Sequence, residues 1–232
     1  MNHLYVIAGG SSPHCDKYWP VYEFIRKECE NRGWVPKILD FVGCGHLGPL
    51  HSEEDFGEGF SFPAAVGKLK LELAAAPHGA TLFARSLGCD VCAAILVSDP
   101  DCLQRFRRIV FWGASPAYVK WGLAQDCKES IDDFNRRYSK DGWKFSLDLW
   151  SRFLPIEMQA TQIRGGSEII LACGTRDIYT TPDWQRYLAM LINRHSECRA
   201  LVAEVPDAEH GVTEDNISPR GKRAYMELLF AP

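Results

Sequence analysis

Short, continuously apolar runs recur along the chain, separated by amphipathic stretches. Residues 4–8, 35–41, 81–84, 109–112, 169–173 and 201–205 are too short for helices and lack the in–out alternation of a strand with one wet face. They therefore predict strands buried on both sides. The segments between them carry helical spacing. Val21, Phe24, Ile25 and Cys29 form one apolar stripe, with Arg32 in the expected last turn and Gly33 supplying a left-handed stop. Thr181-Pro182-Asp183 reads as a helix start. Thr181 caps, the fixed φ of Pro182 suits the first helical position, and Asp183 complements the positive end of the dipole, ahead of a stripe of Trp184, Tyr187, Leu188, Leu191 and Ile192. Ser218-Pro219 repeats the device for a last helix through Leu229. Strands alternating with helices predict an α/β fold: a doubly wound, mainly parallel six-stranded sheet covered on both faces.

Residues 114–166 break this rhythm. They hold no strand-like run but two charged helical segments, around 129–140 and 144–154, and predict a short helical cap within a single domain spanning 1–232. Tyr118, Trp121, Trp143, Trp150 and Phe153 either line an apolar pocket there or pack the cap down.

Composition narrows the partners. The 232 residues carry 26 Lys and Arg against 30 Asp and Glu, a formal net charge of −4. No dense basic block offers nucleic acid or an anionic membrane a footing, and no apolar run nears the ~18 residues of a bilayer span. Neither partner is expected, and a cytoplasmic location is. The nine cysteines are odd in number and form no small-domain framework, which favours a reduced compartment. Cys89 and Cys92 make one C-x-x-C without a second pair at zinc spacing, so helix packing is the simpler reading and no metal is expected.

The chemistry concentrates in Thr81-Leu-Phe-Ala-Arg-Ser-Leu-Gly-Cys89, a strand that stops at a serine and passes at once into a helix. Such a turn projects the hydroxyl from the carboxyl end of the sheet and admits only small residues two before and two after, here Ala84 and Gly88. In this segment the sequence resembles the α/β-hydrolase family, whose elbow Gly-x-Ser-x-Gly appears as Ala84-Arg85-Ser86-Leu87-Gly88, with Ala for the first Gly. The family's order of Ser, then acid, then His is also met. Gly174-Thr-Arg-Asp177 follows one strand and resembles the acid loop, and Pro206-Asp-Ala-Glu-His210-Gly211 follows the last strand and resembles the histidine loop.

The resemblance implies a hydrolase sheet lacking the family's first two strands and a triad of Ser86, His210 and Asp177. Ser86 needs a base, His210 can take its proton and return it to the leaving group, and Asp177 would orient the imidazole. It further implies an oxyanion hole from the backbone of Leu87 and of Gly10 or Ser11, in the loop after the first strand. Tyr18, Trp19, Tyr118, Trp121 and Tyr179 are candidate substrate-binding residues. Trp112 is a candidate wall or core residue, and Asp183 and Glu214 are substitute acids. Arg85 is expected in a structural link.

The implied activity is hydrolysis of a small-molecule acyl ester or thioester, without cofactor. An acyltransferase using the same triad and a non-catalytic binding protein on this scaffold are the alternatives. A dinucleotide site at Gly9-Gly10-Ser11-Ser12 with Asp40 lacks the third glycine, because Pro13, His14 and Cys15 occupy its region. Oligomeric state is not legible.

Overall fold

The structure is a computed structural model, described here for residues 2–9, 15–39, 62–116, 156–164 and 167–231. All six expected strands form: β1 (His3–Ile7), β2 (Val35–Leu39), β3 (Ala80–Arg85), β4 (Phe106–Trp112), β5 (Glu168–Gly174) and β6 (Arg199–Val205). They pair in parallel in the order β2-β1-β3-β4-β5-β6. Parallel neighbours require long crossovers, and helices occupy them. In chain order these are α1 (Cys15–Asn31), α2 (Phe62–Ala74), α3 (Leu87–Ser98), α4 (Ile156–Ala160) and α5 (Pro182–His195), and a last helix, α6 (Pro219–Phe230), follows β6.

The pleat divides the core into two layers. Tyr5, Ile7, Leu82, Ala84, Ile109, Phe111, Ile169 and Leu171 face α2, α3, α4 and α5, whereas Leu4, Val6, Phe83, Val110, Trp112 and Ala172 face α1 and α6. On the central strands β1, β3, β4 and β5 both faces are largely dry, which is why they read as apolar runs. The edge strands β2 and β6, expected to be buried on both sides, are instead partly exposed, because each has a neighbour on one side only. The chain runs outward from β1 to β2 and then returns to β3 on the other side of β1. The sheet therefore reverses its winding at β1 and β3, and in open α/β sheets ligands bind beyond the carboxyl ends at such a point.

Two departures from the sequence pattern have local causes. Helix α2 was not anticipated, because Lys68-Leu69-Lys70-Leu71-Glu72-Leu73 alternates like a strand. In the structure Ala65, Leu69 and Leu73 are buried at helical spacing and Leu71 is 78% exposed. Strand β4 begins at Phe106 rather than residue 109, because Arg107 and Arg108 are polar for a tertiary reason. They donate to the carbonyls of Ala231, Glu227 and Leu228 at the end of α6. The proposed cap lies outside the described residues apart from 114–116 and 156–164. Among the described residues no helix is long and apolar enough to cross a membrane.

Candidate active site

β3 ends at Arg85 and α3 begins at Leu87, so Ser86 alone makes the turn between them. Its backbone lies at φ 48°, ψ −118°, a region an L-residue occupies only when its surroundings enforce it. The enforcement is the close crossing of this turn over the end of β1. A Cβ at Gly88 would lie 2.6 Å from Ala8 O and 2.9 Å from Ile7 O, so the crossing excludes any side chain there. Ala84, on the other side of the turn, is wholly buried. The Ser86 N–H donates to Trp112 O at 2.8 Å, tying the turn to the end of β4. The Ser86 side chain does not cap α3, so the helix does not consume its hydroxyl.

Beyond β5, Asp177 is ringed by hydrogen-bond donors. Its side chain is 0% exposed. Oδ1 accepts the N–H of Tyr179 at 2.8 Å and of Thr180 at 3.1 Å, while Oδ2 accepts the Thr180 hydroxyl and faces His210 Nδ1 at 2.8 Å. Burial pushes the Asp177 carboxyl up, but the His210 side chain and the Thr180 and Tyr179 donors outweigh it and hold the group below the ordinary carboxylate value. An ionised carboxylate only accepts, so Nδ1 carries the imidazole proton and the Nε2 lone pair is left for another donor.

Trp112 and Gly113 bring the serine turn and the acid–histidine pair to the same place. Trp112 O takes the Ser86 N–H, and Trp112 Nε1 donates to His210 O at 2.9 Å. Gly113 comes next, at φ 63°, and a Cβ there would lie 2.6 Å from His210 Cε1, so a side chain would displace the imidazole. Buried Arg85 also reaches His210 O, at 3.4 Å. No hydrogen bond joins Ser86 Oγ to the imidazole in this structure. Such bonds commonly tighten only when substrate binds.

The remaining expected residues divide clearly. The Leu87 N–H opens α3, where the first donors have no intrahelical acceptor. Gly9 runs beside the turn, its Cβ position 2.8 Å from Ser86 Cβ, and its N–H is taken by Tyr22 Oη at 3.1 Å. Gly10, Ser11, Tyr118 and Trp121 lie outside the described residues, as do the side chains of Tyr18 and Trp19 on α1. Tyr179 sits edge-on against the His210 ring, centroids 5.6 Å apart, with Ile178 exposed beside it.

Trp112 belongs to the core, stacked edge-to-face on Tyr225 at 4.9 Å. The substitute acids point elsewhere: Asp183 pairs with Arg186 at 2.5 Å and Glu214 with Lys222 at 3.6 Å. Cys89 and Cys92 are buried on α3 outside any disulfide, and the Cys89 thiol donates to Ala84 O at 3.3 Å and Trp112 O at 3.6 Å. Sequence reasoning missed Thr180, Gly113 and Tyr22. Thr180 stands next to a threonine with an obvious capping role, and the other two matter only through partners far along the chain.

No family model matches the sequence, and no curated protein matches it. Solved structures do, and the chain has the α/β-hydrolase fold. It is similar to the N-formylmaleamic acid deformylase from Pseudomonas putida S16, at 14% identity over 98% of this chain and 91% of that one, with a TM-score of 0.60. A monoacylglycerol lipase from Paleococcus ferrophilus shares 18% identity over 97% of this chain and 93% of its own, with a TM-score of 0.56. The thioesterase domain from the curacin biosynthetic pathway shares 10% over 98% and 90%, with a TM-score of 0.58.

Proposed function

We propose that the protein is a serine hydrolase that cleaves a carboxylic ester or thioester through an acyl-enzyme. The observation that carries this reading is a serine in an enforced left-handed turn, tied through Trp112 and Gly113 to a buried aspartate–imidazole pair. A free serine hydroxyl is a poor nucleophile, and an imidazole within reach removes that limit.

In the proposed reaction Ser86 Oγ attacks the acyl carbon while His210 Nε2 takes its proton. The carbonyl π electrons move to oxygen, and the Leu87 N–H with that of Gly10 or Ser11 would stabilise the oxyanion. Collapse expels the alcohol or thiol, which receives the proton from His210 and leaves Ser86 acylated. Water repeats the sequence and releases the acid. Asp177, held ionised by its donors, stabilises the imidazolium at each stage. Each step uses only groups of this chain, substrate and water. Ile178 and Tyr179 offer an apolar surface beside His210, which suits an apolar acyl or leaving group. The lipase and the thioesterase with the same fold lend the ester and thioester classes support.

Treatment with a fluorophosphonate tests this reading. Stoichiometric adduct at Ser86, absent in Ser86→Ala of unchanged fold, is the expected result. Tight ligand binding without adduct or turnover would replace the enzyme with a binding protein. Acyl transfer to an added alcohol in preference to water would make it an acyltransferase. A panel of esters and thioesters of graded acyl length then defines the substrate.

A further inference from the structure

We infer that Thr180 is a positioning residue of the proposed site, its hydroxyl fixing Asp177 Oδ2 against His210 Nδ1. The inference rests on the serine-hydrolase reading for its catalytic consequence, but its geometry stands apart from it.

A carboxylate offers two oxygens and about four lone-pair sites. At Asp177 the outer oxygen, Oδ1, is filled by the main-chain N–H groups of residues 179 and 180, donors that almost any side chains there would leave in place. The inner oxygen, Oδ2, meets the Thr180 hydroxyl and the imidazole. The side chain at 180 therefore acts on the one oxygen that faces His210.

Packing alone does not account for a hydroxyl at this place. Thr180 is 0% exposed, and valine has nearly its shape without the cost of desolvating an O–H. Helix capping does not account for it either, since the neighbouring Thr181 accepts the Trp184 N–H at 3.3 Å and caps α5. The charged groups that pack around the pair face elsewhere. Arg85 from β3 reaches the His210 carbonyl, and Arg176 and Glu209 pair with one another at 3.5 Å. With the hydroxyl gone, the carboxylate would keep its two bonds at Oδ1 and could rock about them. Displacement of a catalytic partner by about 1 Å can cost on the order of a hundredfold in rate.

The test compares Thr180→Val with Thr180→Ser by two readouts. The first is the far-downfield proton resonance of the imidazole Nδ1–H shared with a carboxylate, which requires no substrate. Wild type and Thr180→Ser should show it, and Thr180→Val should lose or broaden it. The second is the division between kcat and KM. Thr180→Val should lower kcat about ten- to a hundredfold with KM changed less than about twofold, and Thr180→Ser should restore kcat.

Unchanged kcat in an active Thr180→Val enzyme overturns the inference, as does absence of the resonance from wild type or its persistence in Thr180→Val. Should Thr180→Val fail to fold, Thr180→Ala against Thr180→Ser makes the same contrast. A resonance that depends on Thr180 in a protein whose Ser86 takes no fluorophosphonate supports the arrangement at Asp177 and rejects the hydrolase reading. The two ideas therefore fail separately.

Discussion

At the end of β3 the chain is shaped by contact. Ser86 is pressed to φ 48° where Gly88 lies against the backbone of Ala8 and Ile7; its own side chain caps nothing in α3, and the side-chain bonds at the turn are those of the Cys89 thiol to Ala84 O and Trp112 O. At the ends of β5 and β6 it is shaped by donors and acceptors. Neither Asp177 nor His210 has a left-handed φ, and donors surround the carboxylate that joins them, although close packing at Gly113 and Gly174 also holds the two loops together. The first construction is insensitive to pH but intolerant of a methyl group. The second responds to pH and to single polar atoms. A serine fixed by sterics and a base fixed by hydrogen bonds divide the proposed catalysis between an unyielding partner and one that can take up and release a proton.

The largest effects should separate chemistry from fold. Ser86→Ala and His210→Ala should each lower ester turnover by roughly three or more powers of ten while far-UV circular dichroism stays unchanged. A loss below about tenfold in His210→Ala would mean that another base serves Ser86.

The next effect reverses that pattern. Gly88→Ala places a methyl 2.6 Å from Ala8 O and should cost about 2–4 kcal/mol of stability, read as a lowered midpoint in urea unfolding. A midpoint equal to wild type would remove steric enforcement as the origin of the turn.

Acid should distinguish the two constructions further. The folded Asp177 carboxyl lies below its ordinary value, so the folded state binds fewer protons than the unfolded chain in that window. The stabilisation is complete above the ordinary carboxylate range and is lost as pH falls from that range through the lower value of the folded state. Asp177→Asn should flatten that part of the stability profile, while Gly88→Ala should shift the whole profile down without changing its slope. Urea midpoints collected from neutral pH to about pH 3.5 test both.

The smallest effect concerns the adjacent threonines. Thr181→Ala removes the α5 cap and should cost about 1 kcal/mol while leaving kcat unaltered, the opposite of Thr180→Val. Thermal melts and steady-state kinetics on the same samples provide the comparison.

The elbow was legible in the sequence because its causes lie close together: a strand-like run, small residues flanking one serine, and an immediate helix, all within residues 81–97. The order of Asp177 and His210 after their strands was legible too, since each follows an apolar run directly. Helix α2 was hidden by charged residues that alternate with leucines, and only burial of Ala65, Leu69 and Leu73 exposes its period. Thr180 was hidden by degeneracy, as Thr-Thr-Pro offers two hydroxyls and the capping rule accounts for one. Gly113 carries no local signal, because the group it must avoid, the His210 ring, is contributed from the far end of the chain.

By itself the sequence determined the alternation of strands and helices, the dryness of the central strands and the position of the constrained serine. These follow from hydrophobic period and from sterics among near neighbours. Tertiary structure alone decided which oxygen of Asp177 meets His210, and that Trp112 and Gly113 lie against both the Ser86 turn and the His210 loop. Those outcomes depend on directional contacts between residues tens to a hundred positions apart, and a hydrogen bond acquires its direction only once the strands that carry its partners lie side by side.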